Sequence, residues 1–410
     1  MQHSARQRFL HYAGIDTQSD PNSHTCPSTA KQKNLGALLV HELVELGLEA
    51  EMDENGYVYG TLKANTDKKV PVICFCSHMD TSPDCSGQDV KPVVHANYDG
   101  GKIRYTANPH LVLDPAAHPD LLNKIGHDII TSDGTTLLGA DNKAGIAAIM
   151  SAVQILIKEK PCKHGVIKIL FTPDEEIGRG VDKVNLALLG ADFAYTVDGE
   201  TLGHIENETF SADGAKLSIK GISAHPGYAK NKMVSALKAA SAVVAALPTN
   251  ALCPEKTEGR EGFIHPVSMR GSIEEAEVQF IIRDFDNAAL ASHGKQLKQL
   301  VAQTMQAFPG IDYHLHFTEQ YRNMKQVLDR YPNVAEHAVE AVRRAGIQPV
   351  LTGIRGGTDG SRLSFMGLPC PNIFAGEHAF HSLVEWVSVQ DMEKAAETLV
   401  HLAEIWEEKA

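Results

Sequence analysis

Three unbroken apolar runs constrain this chain more than any other feature. Val70-Pro71-Val72-Ile73-Cys74-Phe75-Cys76, Val166-Ile167-Lys168-Ile169-Leu170-Phe171 and Phe193-Ala194-Tyr195-Thr196-Val197 show no clean alternation of polar and apolar residues. They read as strands buried on both faces, the pattern of a sheet covered by helices on each side. Each run ends in charge: Ser77-His78-Met79-Asp80 after the first, Thr172-Pro173-Asp174-Glu175-Glu176 after the second, Asp198 after the third. In an open α/β sheet the ligand site lies beyond the carboxyl ends of the strands, so three strand ends deliver acidic groups and a histidine to one place.

Helices fill the spaces between these runs. Leu35, Leu38, Leu39, Leu43 and Leu46 recur at three- and four-residue steps between Ser28 and Gly47, with the glycine as a stop. A second helix is expected over Gly145–Lys158, entered through Thr135-Thr136-Leu137-Leu138-Gly139-Ala140-Asp141-Asn142-Lys143-Ala144-Gly145. Asp141 therefore stands at a helix N-terminus, where backbone N–H groups and the helix dipole hold a carboxylate ionised and fixed in direction. That suits a metal ligand; it also suits an ordinary N-cap.

Between roughly Glu208 and Thr318 the rhythm changes. A strand over 210–221, a helix over Lys232–Leu247, a strand pair or one long strand over Gly271–Asp284, a helix over 288–308 and a strand over 312–317 follow one another. This β-α-β-β-α-β order suggests a small split-βαβ sheet with helices on one face. The expected fold class is α/β, a catalytic domain with a mostly parallel mixed sheet flanked by helices, plus an inserted smaller α+β lid domain. The boundaries are 1–207 and 319–410 for the first domain and 208–318 for the second. The first domain resumes with a helix over Asn333–Ala345, the turn Gly353-Ile354-Arg355-Gly356-Gly357-Thr358-Asp359-Gly360, a short strand over Cys370–Ala375 and a closing helix over Gln390–Glu408.

A length of 410 residues agrees with two domains. The formal net charge of −13 argues against a nucleic-acid surface and leaves carboxylate for cations. Neither the segment Met1–Leu10, which lacks an apolar leader, nor any later stretch suggests a membrane span, so a cytoplasmic protein is expected. Seven scattered cysteines without zinc-ribbon spacing read as reduced core residues. The sequence leaves a homodimer open.

Five potential ligands, His78, Asp141, Glu176, Asp198 and His381, are dispersed along the chain yet fall at expected element ends of one sheet domain. Two histidines and three carboxylates form a mixed N/O set that suits zinc, manganese or cobalt. Three carboxylates with one bridging hydroxide balance the four charges of two divalent ions, which favours two metals over one. Asp80, two residues past His78, is placed to accept the other imidazole N–H. Glu175 points away from Glu176 and suits a general base whose pKa neighbouring negative charge raises. Taken singly, a His-x-Asp after a strand is an ordinary surface turn and an Asp-Glu-Glu loop is solvated charge; their joint placement is what counts.

Ser77-His78-Met79-Asp80-Thr81, Asp133 to Gly145, Thr172-Pro173-Asp174-Glu175-Glu176-Ile177-Gly178 and Gly356-Gly357-Thr358-Asp359-Gly360 carry a resemblance. They resemble the co-catalytic zinc metallopeptidase family that holds carboxypeptidase G-type enzymes, dipeptidases and aminoacylases, and within it the branch of tripeptide aminopeptidases. The resemblance runs from Asp16-Thr17-Gln18-Ser19 to the last helix. It implies two Zn2+ per chain, with Mn2+ or Co2+ as substitutes. Asp141 would bridge them, with His78 and Asp198 on one ion and Glu176 and His381 on the other. It likewise gives Asp80 the orienting role and Glu175 the base role. The histidine of the Ser223-Ala224-His225-Pro226-Gly227 turn would stabilise the oxyanion, in its own chain or a partner's. Arg283, and less directly Arg355, would hold the substrate carboxylate beneath the lid. The long passage between His78 and Asp141 is a trait of the tripeptide branch rather than of the dipeptidases and deacylases. The choice of His381 over His378 rests on the family motif. The implied substrates are short unblocked peptides, preferentially tripeptides, cut after the first residue; dipeptidase, carboxypeptidase and N-acyl amino acid deacylase activities are the alternatives.

Overall fold

The computed structural model describes residues 4–159 and 162–410; Met1–His3, the start of the segment read above for a leader, lie outside the described residues. The chain divides into two compact units. One takes in the chain up to Asn207 with Gln326–Thr352 and Thr358–Ala410, and the other comprises Glu208–Lys325 and Gly353–Gly357.

The first unit is built on an eight-stranded mixed sheet in the order Glu49–Met52, Val58–Leu62, Ile167–Thr172, Ile73–His78, Phe193–Gly199, Asn372–Phe374, His204–Thr209, Val350–Ile354. The strands Ile167–Thr172, Ile73–His78, Phe193–Gly199 and Asn372–Phe374 pair in parallel at its centre, while Val58–Leu62 and His204–Thr209 flank them antiparallel. The three apolar runs are thus adjacent central strands. Along Ile73–His78 the side chains alternate as a pleat requires. Ile73 and Phe75 join one cluster with Ile169, Val197, Ile146, Leu399 and Trp406. Cys74 and Cys76 join another on the opposite face, with Leu170, Leu189, Leu363 and Cys370. Both faces are covered, and all seven cysteines are free thiols.

The helix Ala140–Gln154 is apolar all round and buried along nearly its whole length. It packs between the sheet and the helices Ala5–Ala13 and Val389–Glu408, as an all-round apolar helix must. Gly145 makes the close approach possible: a Cβ there would lie 1.9 Å from the Val197 carbonyl oxygen and 2.8 Å from Ser77 Oγ. This contact seats the start of the helix over the carboxyl ends of the two central strands. The leucine-rich helix runs Gln32–Leu46, closed by Gly47 at φ +97.

The passage between His78 and Asp141 contributes strands of its own. Val93–His95 and Ile129–Thr131 join Trp386–Ser388 and Glu377–His378 in a four-stranded antiparallel sheet. The turn expected at Gly353–Gly360 is resolved into a strand end at Ile354 and a helix, Asp359–Phe365, capped by Thr358. Among the described residues no helix is long and apolar enough to cross a membrane.

The second unit has the order strand Ser211–Lys220, helix Ala236–Ala245, strands Phe263–Gly271 and Glu275–Asp284, helix Asn287–Met305, strand Asp312–Tyr321. Its four strands form one antiparallel sheet; the expected bounds Gly271–Asp284 hold one long strand, Glu275–Asp284, whose hairpin partner Phe263–Gly271 lies upstream. Both helices pack into one core with Leu217, Val278, Phe280 and Ile282. Its boundary runs past the expected Thr318 to Lys325, because the last strand continues to Tyr321 and Asn323 bonds back to Ser211 and Phe285.

Candidate metal centre

The parallel register brings the strand ends together. His78 closes its strand opposite Thr172, Asp198 lies near the end of the next strand, and Glu175–Ile177 form a 3-10 turn just beyond Thr172. Asp141 opens the buried helix after Gly139, which sits at φ +78. His381 follows the strand Glu377–His378 and is held at φ +59, a left-handed conformation that costs a histidine about 1 kcal/mol and persists where surrounding contacts require it.

The two oxygens of Asp141 face different partners. Oδ1 lies 2.8 Å from His78 Nε2, which in turn lies 3.3 Å from Asp198 Oδ1. Oδ2 lies 3.3 Å from His381 Nε2, which in turn lies 2.7 Å from Glu176 Oε2. Each imidazole is anchored through its other nitrogen: His78 Nδ1 to the Asp80 carbonyl at 3.0 Å, His381 Nδ1 to Asp84 Oδ2 at 3.2 Å. Anchoring Nδ1 aims Nε2 at the centre, which is how ligating histidines are oriented.

The supporting carboxylates are distributed differently from the expectation drawn from sequence. The helix-start amides are claimed by Glu385, whose carboxylate accepts from the N–H groups of Leu138, Gly139 and Asp141. The cap of the regular helix is Asn142, whose Oδ1 accepts from Gly145 N–H at 3.1 Å. Asp141 is therefore neither an N-cap nor held by those amides, and its carboxylate is left to the two histidines. Asp80 orients His78 through its main-chain oxygen, its carboxylate being 3.5 Å from Nδ1. That fully buried carboxylate accepts instead from the N–H groups of Glu175 and Glu176, at 2.9 and 3.2 Å, and so fixes the turn that carries them. Asp174 is tied to Ser28 and Gln32. Glu175 stays apart from these bonds, with Oε2 4.0 Å from His78 Nε2.

Three carboxylates assigned no role from sequence complete the centre. Glu377 is buried and groups with Asp141 and Asp198 within ligand reach; Asp359 is buried and accepts from Thr172 Oγ1 at 2.6 Å; Glu385 is described above. Asp359 was visible as part of the Gly-Gly-Thr-Asp-Gly turn, whereas Glu377 and Glu385 lie in a segment without periodicity. Buried oxygens of Asp198, Glu176 and Glu377 have no hydrogen-bond partner. An anionic cluster with unpartnered carboxylate oxygens and two aimed imidazoles fits divalent cations.

The charge balance shows the same need. Burial pushes Glu175 well above the ordinary carboxylate range, raises Glu176 to about 8, and raises Asp359 and Glu385 to about 7. Burial alone would lower His381, but its bonds to Asp141 and Glu176 raise it to about 11. Burial would raise Asp141, yet the two histidines hold it below the usual range. Between about pH 6.5 and 8 the folded chain stripped of metal thus retains protons that the unfolded chain has already given up, its carboxyls at about pH 4 and its histidines at about pH 6.5. Both signs agree: raised carboxylates and a raised histidine each withdraw stability as pH rises, about 1.4 kcal/mol per pH unit for each retained proton. Lys143, lowered by burial to about 8, opposes this only above that pH. We therefore expect the melting temperature after chelation to fall by at least ~2 °C per pH unit over this window. The metal-loaded protein should stay flatter, because cations replace the protons. A chelated protein that gains stability across the window contradicts this balance.

The second unit holds the remaining sequence-designated residues. His225 is exposed at the start of the 3-10 turn Pro226–Tyr228, its Nδ1 accepting from Gly227 N–H. Arg283 is half-buried; its guanidinium donates to the carbonyls of Asp213 and Ile282 and lies over the Tyr321 ring. Arg355 differs from expectation. Its guanidinium donates to the carbonyls of Gly259, Glu261 and Thr257 and to Thr257 Oγ1, and packs over Phe210, so its donors are engaged in holding a loop rather than directed at a substrate.

The profile of peptidase family M20/M25/M40 matches residues 132–405. Curated relatives named peptidase T include those of Geobacillus kaustophilus, 48% identical over 98% of both chains, and Bacillus pumilus, 49% identical over 98% of both. Among solved structures, the chain resembles the aminopeptidase PepT of Bacillus cereus (TM-score 0.74, 24% identity, 99% of both chains). It also resembles a tripeptidase of Staphylococcus aureus (TM-score 0.78, 22% identity, 100% of this chain and 99% of the other). A dinuclear metal-binding peptidase of Bacillus subtilis shares the fold at TM-score 0.66 and 15% identity, over 99% of this chain and 98% of that one. With its sequence matched from before Asp141 to the closing helix, and its fold shared over the full length, this chain belongs to peptidase family M20/M25/M40.

Proposed function

We propose that the chain is a zinc-dependent aminopeptidase that releases the N-terminal residue from short unblocked peptides, preferentially tripeptides. The observation that carries this reading is the division of Asp141, one oxygen toward His78 and Asp198 and the other toward His381 and Glu176. These five residues would hold two cations, which when bound would supply an activated water and polarise the peptide carbonyl. Glu175 takes the proton of the attacking water and passes it to the leaving amine; its burial beside other carboxylates gives it the raised pKa that a proton shuttle needs. Asp80 acts as a positioning residue, keeping the Glu175–Glu176 turn in place. The Staphylococcus aureus relative described as a tripeptidase supports tripeptides as substrates, and the family resemblance assigns the oxyanion to His225 and the substrate carboxylate to Arg283, whose bonds in this chain are to carbonyls. A cytoplasmic location fits the reading.

A panel of free tripeptides, dipeptides, longer peptides, acetylated amino acids and amidated tripeptides, followed by amino-acid analysis, tests it. Free tripeptides should be cut at the first bond in preference to the rest. Amidation removes a charge-assisted pair worth about 1.5–3 kcal/mol, so kcat/KM should fall at least ~10-fold. Arg283→Ala should shrink that difference. Equal cleavage of free and amidated substrates would point to an unrestricted aminopeptidase, and preference for acetylated amino acids to a deacylase.

A further inference from the structure

The strand Glu377–His378 presents its two residues to opposite sides, as strand geometry requires. Glu377 joins Asp141 and Asp198, whereas His378 joins a different group: ligand atoms of His378, Asp120 and Glu200 all lie within 4.8 Å of one another. The His378 ring is only 2% exposed, and neither of its nitrogens has a hydrogen-bond partner. Nδ1 lies 3.4 Å from Glu200 Oε1 without hydrogen-bonding geometry. The ring is stacked on buried Trp386, with centroids 4.1 Å apart and planes at 13°, which sets the directions of both nitrogens. A buried imidazole left without partners costs about 1–3 kcal/mol, so an arrangement that holds one there calls for a ligand.

We propose that His378, Asp120 and Glu200 form a further divalent-cation site, separate from the centre organised on Asp141. An imidazole nitrogen with two carboxylates is the donor set of zinc or manganese. The Glu200 side chain is 47% exposed, which gives the ion a route from solvent. The three donors come from three segments, the 3-10 turn Pro119–Lys124, the turn after Phe193–Gly199 and the strand before His381. A cation there ties together the two segments that carry Asp198 and His381, and so steadies ligands of the main centre from behind.

The site does not depend on which peptide is cleaved, and zinc binding tests it. The full chain is stripped with chelator, loaded with Zn2+, freed of unbound ion by gel filtration and analysed for zinc. We expect about three ions per chain, and about two in both His378→Ala and Asp120→Asn, since loss of one ligand removes the ion. Asp141→Ala should retain about one, which separates this site from the main centre. Because His378→Ala opens space beside Trp386, its melting temperature after chelation is compared with the parent's, and the more exposed Asp120→Asn and Glu200→Gln carry the result if that variant unfolds. A parent that binds no more zinc than Asp120→Asn and Glu200→Gln overturns the site. So does a third ion that these substitutions leave in place, which is then adventitious.

Discussion

Asp141→Ala is expected to lose both ions of the main centre and to turn over no measurable peptide. The other four ligands divide into pairs, His78 with Asp198 and His381 with Glu176, and in each the pair alone offers one imidazole and one carboxylate. Structural and catalytic zinc sites need at least three protein ligands, so removing the shared residue takes both sets below that number at once. Lewis-acid stabilisation worth several kcal/mol, at about 1.4 kcal/mol per tenfold, puts the loss of turnover above ~10³-fold. The fold should survive, because Glu385 holds the amide of residue 141 and Asn142 caps the helix, neither bond involving the Asp141 side chain. Zinc content, turnover and the melting temperature in chelator are measured together. A variant that keeps one ion at the main centre and appreciable activity shows that Asp141 serves a single metal, and the two-ion reading falls.

That result would test the part of the site most legible in the sequence. His78, Glu176 and Asp198 follow apolar runs, and the runs mark parallel strands because both faces are buried; the chemistry at their ends follows from topology. Asp141 was placed by its helix, although the helix amides turned out to bind Glu385. Glu385 and Glu377 could not be read in this way. Glu385 acts on backbone groups more than two hundred residues away, and only the pairing of Trp386–Ser388 with Ile129–Thr131 brings it there. Arg355 shows the complementary limit, because its guanidinium meets loop carbonyls. A guanidinium near a glycine-rich turn looks the same in sequence whether it meets a substrate or the carbonyls of a neighbouring loop. Sequence thus pointed to the side chains that the strand and helix ends bring together, while residues whose partners are main-chain atoms of distant loops required the fold.

Glu175→Gln separates proton transfer from metal binding and is expected to lower turnover by at least ~10²-fold with zinc content unchanged. The structure distinguishes the neighbours that make this test specific. Glu176 has a side chain only 4% exposed, with Oε2 2.7 Å from His381 Nε2, whereas Glu175 Oε2 lies 4.0 Å from His78 Nε2. Both backbone N–H groups are fixed by the Asp80 carboxylate, so the amide side chain at 175 leaves the turn and Glu176 in place. Glutamine keeps the size and hydrogen-bonding capacity but accepts no proton at working pH, and the loss should appear in kcat rather than in KM. The substitution also removes one buried carboxyl whose charged form burial disfavours, so the protein after chelation should be no less stable than the parent. Loss of zinc in this variant would reverse the assignments of Glu175 and Glu176. Near-normal turnover with zinc retained would require a different proton acceptor. Asp174 is bound to Ser28 and Gln32 and is poorly placed for that task, which leaves Glu377, buried within ligand reach of Asp141 and Asp198, as the next residue to substitute.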